Sequence, residues 1–251
     1  MARRLIMHCL PPGGPGEALE RRFFRRALKA ERRLTLTDPM HALRGRLPLE
    51  APAPGPAVRL VTGPAPFGYL DDLDCPVVYL LVLGDPAAGF LRFAEQVRRA
   101  EPEARAALAG PRYAGAATDD LDAAALRLLE TPMVRRQRLN AATRLCAGVP
   151  LAAAAGEMDG PVLLRAALAN LARANLFVGR EGALDAFAGE LAGVFGWRPS
   201  VQAVEPGGGE AARTAAPAAQ VRPETLTAVT EATALDAALL RAATQAERLD
   251  A

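Results

Sequence analysis

The stretch CPVVYLLVLGDP, residues 75–86, constrains the fold more than any other. From Val77 to Leu83 it is an unbroken run of valine, leucine and tyrosine. A strand with one wet face alternates apolar and polar residues, whereas a continuous run suits a strand buried on both faces at the centre of a parallel sheet. Parallel neighbours need long crossovers, normally helices, and these must lie on both faces of the sheet. The next residues fit that requirement. Asp85 is placed to cap a helix and Pro86 to occupy its first position, and AAGFLRFAEQVRRAE then resumes helical spacing.

Other segments fill in the same architecture. RRLIMHCL (3–10) is a short apolar run that ends at PPGGPG, as a buried strand entering a turn would. RLTLTD (33–38), AVRLVTG (57–63) and ANLFVGR (174–180) read as further strands. After the glycine-rich turn, Leu19, Phe23, Phe24, Ala27 and Leu28 share one helical face. Helical spacing is expected over 101–109, 119–130, 136–147, 160–173 and 181–196, with one or two helices over 222–249. The Pro/Gly/Ala stretch 198–220 has no period and reads as a mobile loop within a single domain spanning 1–251. The expected fold is therefore α/β and three-layered, with a mostly parallel central sheet and a helical second half. In such folds ligands sit outside the carboxyl ends of the strands, where both LPPGGPG and LGDP belong.

Composition narrows the function. With 251 residues, 51% hydrophobic and 23% charged, the chain is globular. Its formal charge of +2 is mixed along the sequence, so no nucleic-acid partner is expected. Cys9, Cys75 and Cys146 are far apart and lack zinc or redox spacing, which suggests buried thiols, a reducing compartment and no metal site. The basic start is followed by a short apolar run interrupted by His8, and no stretch reaches the ~18 apolar residues of a membrane span. A cytoplasmic location is expected. No G-x-x-x-x-G-K-[ST] occurs, which disfavours a nucleotide triphosphatase.

Six segments, in order, resemble the carbohydrate sulfotransferase family, in particular its bacterial and heparan 2-O-sulfotransferase-like members. HCLPPGGPG (8–16) is similar to its first motif, H-I-P-K-T-G-G-T-S, and GDPAAGFLR (84–92) to its second, R-D-P-V-E-R-x-L-S. TGPAPFGYLDDL (62–73) resembles the intervening G-H-x-P-F-G segment, and LNAATRLCAG (139–148) an N-x-x-T-R-x-L-x-G segment. NLFVGREGALDAFAGELAGVFGW (175–197) and EATALDAALLRAA (231–243) are similar to the family's F-V-G-x-x-E…L-G-W block and terminal L-D-x-x-L-Y helix.

The resemblance implies a P-loop-type fold. It also implies transfer of a sulfuryl group from 3′-phosphoadenosine 5′-phosphosulfate to a hydroxyl of a saccharide or small metabolite. Gly13, Gly14 and Gly16 match the donor loop, Asp85 and Arg92 the second motif, and Arg144 a position suited to a donor phosphate. Several functional positions are altered. The loop lysine is matched by Pro11, the loop hydroxyls by Pro15 and Gly16, and the second-motif arginine by Gly84. The family histidine is matched by Pro64, which leaves His41 as a substitute base; Glu20 or Glu17, on the helix after the first loop, are alternatives, with Asp71 and Asp72 behind them. Arg135, Arg136 and Arg138, neighbours of Arg144, could also bind a donor phosphate or a sulfated acceptor, although a solvent-facing basic helix is the simpler reading for them. A preorganised donor is worth ~10²–10³ in turnover and a general base ~10²–10⁴, so these losses imply impaired catalysis. The alternative is a catalytically silent relative that binds a nucleotide or glycan, or acts as an interaction module.

Overall fold

The structure is a computed structural model that describes residues 4–36, 58–110, 120–151, 153, 159–197 and 217–250. Five strands form one sheet: β1 (Leu5–Cys9), β2 (Arg33–Thr35), β3 (Leu60–Gly63), β4 (Val77–Leu83) and β5 (Leu176–Arg180). Their order is β2-β3-β1-β4-β5 and every pairing is parallel. β1 is central, with Met7 opposite Val61 on one side and Tyr79 on the other. Every residue of β4 is buried, as its continuous apolar run demands.

Helices cover both faces, so the chain is three-layered. Leu5, Met7, Cys9, Val61, Tyr79 and Leu81 project to one side, against α7 (Ala141–Cys146), α8 (Gly160–Leu171) and α11 (Ala234–Asp250). Ile6, Leu60, Val78, Leu80 and Val82 project to the other. There they meet α9 (Leu184–Phe195) and the first helical segment, made of α1 (Gly16–Leu19), a π turn (Glu20–Phe24) and α2 (Arg25–Ala27). Each fully buried leucine, valine or phenylalanine contributes ~1.5–3 kcal/mol, so these two faces dominate the hydrophobic stabilisation.

A third apolar cluster lies apart from the sheet. It joins α3 (Pro86–Arg99), α4 (Pro102–Ala109), α5 (Leu121–Glu130), α6 (Pro132–Gln137) and α10 (Pro223–Ala232) around Phe90, Leu91, Phe93, Leu128 and Val229. Asp85 caps α3 by accepting a hydrogen bond from the Ala88 N–H at 3.0 Å, and Pro86 opens the helix as expected.

The continuous helix expected over 136–147 is two helices. Between α6 and α7, Asn140 takes a left-handed conformation with φ of 53°, which asparagine tolerates better than most residues. Its side chain is then free to tie the break to a second one. Nδ2 donates to the Ala232 carbonyl at the end of α10 (3.0 Å), and Oδ1 accepts from Leu235 N–H (3.1 Å) and Asp236 N–H (3.2 Å) at the start of α11. Asp236 returns the contact. Its Oδ1 accepts from both the N–H and the hydroxyl of Thr143 at 2.7 Å, and Oδ2 from Ala142 N–H at 3.4 Å, all in the first turn of α7. Each junction therefore caps the other's helix.

His41 and residues 198–216 of the expected loop lie outside the described residues; Pro217–Gln220 form a 3₁₀ turn. No helix among the described residues is long and apolar enough to cross a membrane.

Candidate functional site

The chain leaves β1 towards β2 on one side of the sheet and leaves β4 towards β5 on the other. That reversal opens a crevice at the carboxyl ends of β1 and β4, the place where open α/β sheets bind ligands. A cavity of about 90 Å³ occupies it, walled by residues 11–15, Gly84, Asp85, Phe93, Arg138 and Asp236. The loops LPPGGPG and LGDP thus meet. Ligand clefts usually enclose roughly 300–1,000 Å³, so this one is small.

The chain's own groups take up the loop. Pro11, Pro12 and Pro15 supply no N–H. Gly13, at φ of 64°, donates its N–H to Glu17 Oε1 at 2.7 Å, and Gly14 donates to the Pro11 carbonyl at 2.9 Å. A carboxylate thus stands where an incoming anion would need the Gly13 donor. From the far wall, Arg138 Nη1 donates to the Pro12 carbonyl at 2.6 Å, and its guanidinium lies 4.0 Å from the centre of the Phe93 ring. A Cβ at Gly13 would meet that guanidinium, and the positive φ favours glycine there in any case. Burial lowers the Arg138 pKa to about 10, with nearby Glu17 acting in the opposite direction; the group stays charged at neutral pH.

Asp236 forms part of the opposite wall. Burial raises its pKa, against the hydrogen bonds from Thr143 and Ala142 that favour the carboxylate. Beneath the loop, His8 is fully buried at the end of β1, and neither ring nitrogen has a hydrogen-bond partner. Its ring packs edge-on against Phe24 with centroids 5.3 Å apart, and desolvation lowers its pKa to about 4.

The residues expected to form a site are placed unequally. Gly13, Gly14 and Asp85 line the crevice; Gly16 lies beside it, where a Cβ would stand 2.7 Å from His8 Nε2. Arg92 reaches the crevice but pairs with Glu181, Nη2 lying 2.9 Å from Oε1 and 3.2 Å from Oε2, so its charge is already matched. Glu181 can approach because residue 84 is glycine.

Arg144 goes elsewhere. Only 3% exposed, it donates to the carbonyls of Arg136, Pro150 (3.0 Å), Leu151 (3.2 Å) and Ala153 (2.8 Å), which makes it a staple for the turn after α7 rather than part of the loop. Glu20 sits in the π turn, 4.0 Å from Arg25 Nε and away from the crevice walls. Asp71 accepts a hydrogen bond from the Tyr79 hydroxyl at 2.7 Å.

The cation that does converge on the loop is Arg138, a neighbour of Arg144 for which the sequence favours a solvent-facing helix over a binding role. Asp236 is the aspartate of the segment that resembles the terminal L-D-x-x-L-Y helix, and the resemblance alone gives it no role. The available signal is an acidic residue three, four and seven positions before Leu239, Leu240 and Ala243, within the apolar stripe of its own helix. Among the described residues, no group of three or more His, Cys, Asp and Glu side chains is placed to hold a metal ion. Comparison of the chain with protein-family models, with characterised proteins and with solved structures gives no match.

Proposed function

We propose that the chain is a catalytically silent relative of the carbohydrate sulfotransferases, retaining the scaffold as a binding or interaction module. The observation that carries this reading is the occupation of the first loop by Glu17 and Arg138. A doubly anionic donor needs free N–H groups and unpaired cations, and the loop presents a carboxylate on Gly13; Arg92 is paired with Glu181, and Arg138 is held by the Pro12 carbonyl and the Phe93 ring. The meeting of both resembled motifs at one switch-point crevice supports the family part of the reading. Buried, unpaired Cys9 and Cys146 fit the reducing, cytoplasmic setting that goes with it.

Thermal melting with 3′-phosphoadenosine 5′-phosphate tests the occupied loop. A ligand at 100 times its dissociation constant stabilises by ~2.7 kcal/mol, a rise of ~5–10 °C for a chain of this size. The expected result is no shift at millimolar ligand and no transfer of labelled sulfate from the donor to saccharide acceptors. A saturable shift would overturn the occupied loop. Labelled product would establish a divergent transferase acting on a saccharide or small metabolite instead.

A further inference from the structure

At the opposite end of the sheet, below the amino ends of the strands, lies a recess of about 910 Å³. Three of its lining residues are Arg4, Arg32 and Arg59, which immediately precede or lead into β1, β2 and β3. These strands are neighbours, and their main chains are tied side by side: Arg59 N–H donates to the Arg32 carbonyl, and Ile6 N–H to the Arg59 carbonyl, both at 2.9 Å. Strand spacing is ~4.8 Å, so the three guanidinium stems start from a row only ~10 Å across.

None of the three makes an ion pair within the described residues, and no described carboxylate lines the recess. Arg33 stands beside the recess on the neighbouring strand. It is in register with Leu60 and through it with Ile6, on the same sheet face, and its buried Nε has no hydrogen-bond partner. The carboxyl end of α9 also faces the recess, but a helix dipole end carries about half a charge and cannot neutralise three arginines.

The rest of the lining is apolar and partly aromatic. Ile6, Leu28, Phe195 and Trp197 contribute, and Trp197 is braced from behind by Phe23 and Phe24, with centroids at 5.8 and 5.9 Å, and by Phe195 at 5.0 Å. An aromatic wall beside three lining arginines suits a flat ring joined to a compact anion, and the volume lies in the usual range of roughly 300–1,000 Å³ for small-molecule clefts. We propose that this recess binds a ring-bearing phosphate ester, its anion held by Arg4, Arg32 and Arg59 and its ring set against Phe195 and Trp197. The row is too short to track the backbone of a nucleic acid, which favours a small ligand. The proposal uses no residue of the carboxyl-edge crevice and does not depend on the function proposed above.

Trp197 is the sole tryptophan, so its fluorescence reports on this recess. Titration with adenosine 5′-diphosphate and with phenyl phosphate is expected to change that fluorescence saturably for at least one of them. Adenosine and inorganic pyrophosphate, which carry the ring or the charge alone, are expected to bind at least about tenfold more weakly than the better ester. Arg32→Gln and Arg59→Gln are each expected to weaken binding by about tenfold, with the circular dichroism spectrum and melting temperature of the parent protein retained. No saturable response to either ester in the millimolar range, or a response that both variants leave unchanged, would overturn the proposal. Tighter binding of a single-stranded oligonucleotide than of either ester would also overturn it, in favour of a nucleic-acid surface.

Discussion

Replacing Asp236 with alanine is expected to destabilise the protein by about 3 kcal/mol and lower its melting temperature by ~6–12 °C. The carboxylate accepts the Thr143 N–H and hydroxyl and the Ala142 N–H, so its removal leaves the first turn of α7 without acceptors. Hydrogen bonds to a charged group are worth ~1.5–3 kcal/mol each and a lost helix cap ~0.5–2 kcal/mol. These contributions do not add in full, because Asp236 borders the crevice and water can enter there to satisfy part of the deficit. Asp236→Asn keeps one acceptor oxygen and is expected to lose about half as much. Thermal melting of both variants decides the matter: a change below about 2 °C for the alanine variant would show that the two helix junctions hold together without this carboxylate.

A second large effect is expected from His8 as the pH falls. Its folded-state pKa of about 4 lies below the 6.5 of an unperturbed histidine. The unfolded chain therefore binds the proton first, and the folded state is penalised between those two values. The contribution of neutral His8 is complete above pH 6.5, declines as pH drops through 5, and is lost by about pH 4, where the folded form also protonates. A difference of this size corresponds to ~3 kcal/mol. His8→Leu removes the titrating group while keeping similar volume at a site with no hydrogen bond to lose. Urea unfolding of both proteins at pH 7 and pH 4 is expected to show the parent losing ~3 kcal/mol more than the variant. Carboxylates titrate in both proteins alike, so parallel pH dependences would mean that water or structural relaxation already solvates the ring.

Most of the architecture is legible in residue order because burial on two faces leaves a plain record. Val77–Leu83 has no charged residue and forms the strand next to the centre; the runs around Leu5, Leu60 and Leu176 form its parallel companions. The capping role of Asp85 is equally legible, since the cap needs only local geometry. The helix break at Asn140 is not. Its side chain is satisfied by Ala232, Leu235 and Asp236, more than ninety positions away, and no helical period carries that information.

That break also explains why Arg138 rather than Arg144 reaches the loop. Carried through an unbroken helix, the two arginines would keep a fixed angular relation. The left-handed turn resets it, sending Arg138 to the loop and Arg144 into the carbonyls of its own turn. The character of the donor loop is legible in one respect, because prolines at 11, 12 and 15 announce missing donors. In the sequence Glu17 is only an alternative base on the helix after the first loop; the 2.7 Å contact with Gly13 shows it taking up a loop donor instead.

The central place of β1 has a consequence for how the chain is made. β1 precedes both of its partners in the chain, so during synthesis Ile6 must wait for Leu60 on one side and Val78 on the other. Until those partners emerge, an apolar strand with both hydrogen-bonding edges bare is held near the ribosome, the condition under which nascent chains pair wrongly or recruit chaperones. Mutations that delay the pairing of β3 or β4 with β1 are therefore expected to cost yield before they cost stability.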